Sequence, residues 1–148
     1  MRLLIDGDAC PNRNEIKGIA KKHQVEMLVF MDYAHSVEDE DYKIIQCEIG
    51  HDSVDMVLLK AARTGDLAIT QDYGLAGMLL SKGARVLHVS GKPITSDNID
   101  GLLMHRYLGA KARKATHHTK GPKKRTNEDK ERLLTAIDND LSHHKHMV

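Results

Sequence analysis

Short apolar runs alternate along the chain with stretches whose apolar residues recur three and four positions apart. The first kind reads as buried strands and the second as helices packed by one face. Arg2–Asp6 predicts a strand closed by Gly7, and Pro11 sits where a helix through about His23 would make its first turn. Ile16, Ile19 and Ala20 give that helix its apolar stripe. Val25–Met31 predicts a second strand, acidic Asp32–Asp41 a loop, and Tyr42–Ile49 a third strand broken by Gly50. Ser53–Arg63 predicts a helix with Val54, Val57, Leu58 and Ala61 on one face and Gly65 as its stop. Asp66–Thr70 is a fourth strand, Tyr73–Ser81 a short helix ending near Gly83, and Ala84–Val89 a fifth strand. Thr95 or Ser96 caps a helix through about Tyr107, and Thr116–Arg125 is a basic loop. Asn127–Leu141 closes the chain as an amphipathic helix carrying Leu133, Leu134, Ile137 and Leu141.

Strands alternating with helices indicate an α/β fold with a central parallel sheet and right-handed crossovers. Five strands in the order 3-2-1-4-5, flanked by helices, make a three-layer architecture with strands 1 and 4 side by side at the switch point. Residues 1–110 form this domain. Residues 111–148 form a basic loop and a C-terminal helix that packs on it or extends from it.

Two of the apolar runs end on aspartate, Leu3-Leu4-Ile5-Asp6-Gly7-Asp8 and Leu67-Ala68-Ile69-Thr70-Gln71-Asp72. Parallel sheets place their chemistry at the carboxyl ends of strands, so Asp6 and Asp72 are expected together in that crevice. Gly7 would let the backbone bend between Asp6 and Asp8; Asp8 favours the site, and it could cap the following helix at the same time. Asp52 and Asp55, three apart, share a face at a helix start. Asp52 is as well suited to capping as to metal work, whereas Asp55 points to the site. Carboxylates gathered without thiols or imidazoles suit a hard cation, Mg²⁺ or Mn²⁺. Thr70 could orient Asp72 or a metal-bound water.

Composition narrows the setting. Hydrophobic residues make up 41% of the 148, yet there is no Trp and one Phe, so the core must be aliphatic and Met-rich, with Met27, Met31, Met56, Met78 and Met104 as fillers. No apolar run approaches the roughly 18 residues of a membrane span, and the first residues enter a strand without a signal-peptide layout. Cys10 and Cys47 lack C-x-x-C spacing, which fits a reducing, cytoplasmic setting. Cys10 has no nearby His and reads as a small buried residue rather than a nucleophile.

The net charge of +1 hides a split: residues 1–110 carry 12 Lys+Arg against 16 Asp+Glu, and residues 111–148 carry 10 against 5. An acidic pocket beside a basic flank suits holding and cutting a polyanion, although a basic tail alone is more often a solvated, solubilising segment. Lys111, Arg113, Lys114, Lys123, Lys124 and Arg125 are the candidate phosphate contacts. With few aromatics for stacking, sequence-specific reading of bases is not expected. The C-terminal His143, His144 and His146 read as a frayed tail.

One acidic residue is a decoy. Gly65-Asp66 with Asp72, together with Asp6-Gly7-Asp8, resembles the motifs of haloacid-dehalogenase-type phosphatases. In those proteins the Gly-Asp pair follows a strand, whereas here it precedes one, which puts Asp66 nearly ~20 Å from Asp72 at about 3.3 Å per residue. The Thr expected after the second Asp of the nucleophile motif is also absent.

Asp6-Gly7-Asp8-Ala9-Cys10-Pro11, His51-Asp52-Ser53-Val54-Asp55, the segment Gly65–Ala76 and Lys120-Gly121-Pro122-Lys123-Lys124-Arg125 together resemble the bacterial YaiI/YqxD family over nearly the whole chain. That family in turn resembles PIN-type nuclease domains, whose signature has a strand-1 Asp, an Asp opening a middle helix and a Thr-x-Asp ending strand 4. Asp6, Asp55 and Thr70-Gln71-Asp72 match those positions. The remaining acidic position of that signature has no unique match; Asp52 is the best substitute and Asp8 the second. The resemblance implies a PIN-like fold, a Mg²⁺ or Mn²⁺ site, phosphodiester cleavage of RNA or single-stranded nucleic acid, and an option of homodimerisation. A non-catalytic PIN-like module binding nucleic acid or protein, or a phosphatase-like metal hydrolase, are the alternatives.

Overall fold

The computed structural model describes residues 1–7, 10–32, 42–47, 53–116 and 125–144, with the backbone alone at 113, 115 and 116. In chain order the elements are β1 (Arg2–Asp6), α1 (Arg13–Lys22), β2 (Glu26–Asp32), β3 (Lys43–Cys47), α2 (Val54–Ala61), β4 (Leu67–Ile69), α3 (Tyr73–Ser81), β5 (Arg85–Leu87), β6 (Pro93–Ile94), α4 (Ile99–Thr116) and α5 (Asn127–His144). The sheet order is β3-β2-β1-β4-β5-β6. The first five strands are parallel, in the expected order, and β6 runs antiparallel to β5.

Alternation along the strands sorts the core into two halves, one on each side of the sheet. Leu3, Ile5, Val29, Leu67 and Ile69 pack with Ile16 and Ala20 of α1 and with Leu133, Ile137 and Leu141 of α5. Leu4, Leu28, Phe30, Ala68 and Val86 pack with Leu58 of α2, Leu75 and Leu79 of α3 and Ile99 of α4. The result is three layers: α1 and α5, the sheet, and α2, α3 and α4. No helix among the described residues is long and apolar enough to cross a membrane.

Several details depart from expectation. β6 is two residues long, too short to carry alternation. It returns through a turn in which the Gly91 N–H donates to the His88 carbonyl at 2.8 Å. Gly91 has φ +88, and a Cβ there would lie 2.5 Å from the backbone of Arg132 and Leu133, so glycine also lets α5 approach. Pro11 stays outside α1, whose N-cap position is Asn12. Gly7 is demanded by space rather than by a left-handed backbone, since a Cβ there would meet Met31 Cγ at 2.6 Å. α4 continues past Tyr107 to Thr116, because Ala110-Lys111-Ala112-Arg113-Lys114-Ala115 is a run of strong helix formers with no proline. Lys111, Arg113 and Lys114 therefore stand on a helix. Met27 and Met31 are core residues as expected, but Met56, Met78 and Met104 are exposed. Their helices bury other faces.

Thr126 and Asp129 form a capping box at the start of α5, each side chain accepting the other's backbone N–H. Arg85 binds the Asp140 carboxylate with two nitrogens, at 3.0 and 2.9 Å, and the His23 ring meets Asp138 at 2.6 Å. Leu133, Ile137 and Leu141 have no exposed surface, so each contributes about 1.5–3 kcal/mol by burial. The helix is thus part of the core. Ile137→Ala is expected to lower the unfolding free energy in urea by about 2–4 kcal/mol. A loss below about 1 kcal/mol would mean α5 is an appendage.

Candidate functional site

The site follows from the register of two strands. Ile5 lies opposite Ile69 in the parallel β1–β4 ladder, and one further step brings Asp6 opposite Thr70. Both share the strand parity of Leu4 and Ala68, so both face the α2–α3–α4 layer. Thr70 is fully buried and Asp6 is 7% exposed. Thr70 Oγ1 donates to Asp6 Oδ2 at 3.2 Å and accepts the Asp72 backbone N–H at 3.1 Å. One hydroxyl thus fixes the side chain of one aspartate and the backbone of the other. Thr70, rather than Asp72, is the immediate neighbour of Asp6.

Asp72 is the N-cap of α3, with Oδ1 accepting the Leu75 N–H at 3.1 Å. Asp55 is the second residue of α2. The capping position that Asp52 might have taken belongs to Ser53, whose hydroxyl accepts the Met56 N–H. The Asp55 and Asp72 carboxyls share a hydrogen bond. Asp6, Asp55, Gln71, Asp72, Tyr73 and Arg106 line a cleft of about 450 Å³ at this edge, with Leu103 on its rim.

Packing like charges together leaves a mark on protonation. Burial, the hydrogen bond with Asp72 and the charges of Asp72 and Asp6 push Asp55 up to about 6. Asp72 goes the other way. Burial raises it, but the Leu75 N–H, the proton shared with Asp55, the Gly74 N–H and Arg106 outweigh that and hold it below the ordinary carboxylate range. The pair therefore shares one proton over part of the pH scale.

Arg106 was not legible as a site residue. It lies four residues after Leu102 and seven after Ile99, on the face of α4 turned toward the protein. Its guanidinium stands 5.6 Å from the centre of the Tyr73 ring and reaches toward the Gln71 carbonyl at 3.4 Å. Tyr73 also neighbours His88, whose ring centre is 5.7 Å from its own and whose Nδ1 pairs with the Ser90 hydroxyl. Desolvation lowers the His88 pKa, with Lys92 and Arg106 adding to the effect against Asp129. The spacing Ile99, Leu102, Arg106 was the available signal.

The remaining candidates divide. Asp8, Asp52, Lys123 and Lys124 lie outside the described residues, as does the side chain of Arg113. Lys111 and Lys114 are exposed on α4. Arg125 does not line the cleft; its Nε donates to the Val89 carbonyl at 3.2 Å. Cys10 is buried with its thiol pushed up to about 11, chiefly by desolvation, which keeps it protonated and unreactive. Asp66 sits at the opposite end of β4, bound to Arg2 at 2.8 Å and to the Arg63 N–H. His143 and His144 close α5. Among the described residues, no group of three or more His, Cys, Asp or Glu is arranged to hold a metal ion.

Fold and site together define an α/β protein with carboxylates and one arginine at the carboxyl edge of a mainly parallel sheet. The chain belongs to the family described as "Uncharacterized BCR, YaiI/YqxD family", whose model matches residues 4–143. It is 40% identical to a UPF0178 protein of Clostridium kluyveri over 133 residues, 90% of this chain and 88% of that one. It is 40% identical to a UPF0178 protein of Bacillus cytotoxicus over 97% of this chain and 95% of the relative. A UPF0178 protein of Clostridium tetani is 41% identical over 93% of this chain and 94% of its own. No solved structure matches the chain at a significant level.

The raised Asp55 has a thermodynamic consequence. Its folded value, about 6, lies above the ordinary 3.8, so the protonated form favours the fold. That contribution is complete below the ordinary value and is lost as pH rises through the folded one. In metal-free protein, carboxyl NMR of Asp55 should titrate near 6. Asp55→Asn should flatten the loss of stability between those two values. A titration at the ordinary value would show that the carboxylates do not meet.

Proposed function

We propose that this protein is a metal-dependent nuclease acting on RNA or single-stranded nucleic acid. The observation that carries the reading is the convergence of Asp55 and Asp72 beside the buried Asp6 on one cleft, with Arg106 in its wall. A fold that presses carboxylates together at its switch point spends stability to do so, and a cation is the usual remedy. The donors are all hard oxygens, which fits Mg²⁺ or Mn²⁺. Asp6 and Asp72 would hold the ion, with Asp8 or Asp52 supplying a third ligand and Asp55 beside them on the cleft. When bound, such an ion supplies a water of lowered pKa and offsets charge on the phosphodiester.

The chain's own residues do the rest. Thr70 keeps Asp6 in one orientation through its hydroxyl. Arg106 donates to non-bridging phosphate oxygens, for which its planar fork is suited. Tyr73, near both Arg106 and His88, offers one small stacking surface and no reading of base edges. Phosphates beyond the scissile bond fall to the basic stretch 111–125. A second reading is a PIN-like module that binds nucleic acid or a protein without cutting. It is favoured by the want of a closed metal cage among the described residues. The phosphatase-like reading loses its key acid, since Asp66 is engaged with Arg2 at the far edge.

Calorimetry with Mn²⁺ and cleavage of a labelled single-stranded RNA separate these readings. Wild type should bind Mn²⁺ and cut the RNA, and the double substitution Asp6→Asn with Asp72→Asn should lose both while its circular dichroism stays unchanged. Equal Mn²⁺ binding by the two proteins would sink the nuclease reading, and RNA binding without metal dependence would favour the module. Arg106→Ala should lower kcat/KM by about 10–100-fold with Mn²⁺ affinity retained, as expected for one lost charge-assisted contact. Arg106→Lys should recover part of that loss.

A further inference from the structure

The exposed apolar residues are not scattered. Among the described residues six large hydrophobics are exposed, and four of them, Leu103 (40%), Met104 (58%), Tyr107 (61%) and Leu108 (55%), lie on α4. A fifth, Met78, is on α3, which packs beside it. A contiguous apolar patch of this kind on one helix marks a contact surface.

The charges around the patch say what covers it. Asp97, in the turn before α4, and Asp100, in its first turn, stand exposed, and Lys111 and Lys114 stand exposed near its end. At 100° per residue Asp100, Met104, Tyr107, Lys111 and Lys114 fall on one side of the helix, with Leu103 and Leu108 at its margins. Arg106 lies off that side, toward the cleft. The order along the stripe is acidic, apolar, basic, and it is self-complementary when a second copy runs antiparallel. A two-fold axis between His105 and Arg106 sets Met104 opposite Tyr107, with Leu103 and Leu108 level with one another at the two margins of the strip. The same axis sets Asp100 opposite Lys111. Every one of these pairs closes on the same centre.

We infer that α4 is the interface of a symmetric homodimer, in which two copies of the helix pack antiparallel through Leu103, Met104, Tyr107 and Leu108 and pair their charged ends. The arrangement is isologous, so it closes at two subunits. α4 is about 27 Å long, and the exposed apolar residues occupy its middle third, between the acidic and basic ends. The dimer assigns Lys111 and Lys114 to the interface and leaves Arg106 to the cleft. Any phosphate track in the nuclease reading then starts at Arg106 and bypasses those two lysines, which narrows the basic stretch 111–125 to its part beyond α4. The inference itself does not depend on that reading.

Sedimentation equilibrium of the full chain tests it. Wild type should be dimeric at about 10–100 µM, an ordinary range for a contact of this size. Met104→Asp with Leu108→Asp should be monomeric with unchanged circular dichroism. Asp100→Lys and Lys111→Asp should each weaken the dimer about fivefold, because each change spoils two symmetry-related pairs. Combined in one chain they should restore it, because the pairs are exchanged across the axis. A monomeric wild type, a dimer that survives the two aspartates, or a double reversal no tighter than the single ones would each overturn the proposal. The charge-reversal set leaves the apolar strip intact, so it decides the matter even if the aspartate variant fails to fold.

Discussion

The parallel pairing of β1 with β4 at the centre of the sheet is the constraint on which the rest of the molecule depends. It joins two halves of the chain that are more than sixty residues apart in sequence. The register that sets Ile5 against Ile69 also sets Asp6 against Thr70. From that contact the cleft is assembled: Thr70 holds Asp72 by its backbone, Asp72 starts α3, and α3 receives α4 and its Arg106. A slip of one residue in this ladder would turn Asp6 into the layer of α1 and α5, among apolar side chains with no partner for a charge.

β4 carries an acid at each end, and the fold treats the two oppositely. At the amino end Asp66 accepts from Arg2 and from the Arg63 N–H, so its charge is answered within the protein. At the carboxyl end Asp6, Asp55 and Asp72 stand close enough to perturb one another, and the Thr70 hydroxyl, the Leu75 N–H and Arg106 offset part of their charge. The difference follows from strand direction. Parallel strands bring all their carboxyl ends to one edge, where loops rather than neighbouring strands take over.

How much of this was legible in the sequence depended on range. Strand order, the aspartates that end β1 and β4, and the exclusion of Asp66 all followed from local patterns, because a buried strand writes itself as an apolar run. β6 did not, because two residues cannot show a period. The length of α4 was obscured by its charge: alanine and lysine favour a helix, but seven basic residues in the Lys111–Arg125 stretch read as a solvated loop. Three methionines read as core because their type is usually buried, and the faces of their helices decided otherwise. Arg106 was hidden for a different reason. Its partners, Tyr73 and the Gln71 carbonyl, are more than thirty residues away, and nothing local to α4 announces them.

The division of the core by the sheet has a genetic consequence. α1 and α5 fill one side with fully buried aliphatic residues and carry none of the cleft. Lesions there act on how much folded protein a cell holds, since a loss of one or two kcal/mol changes abundance severalfold. Lesions on the other side, in α2, α3 or α4, can alter the cleft while the protein accumulates normally. Abundance and activity can therefore be lost separately only on the cleft side and only at its exposed or cleft-lining positions, because Leu58, Leu75 and Leu79 are buried there as deeply as Leu133 is on the other.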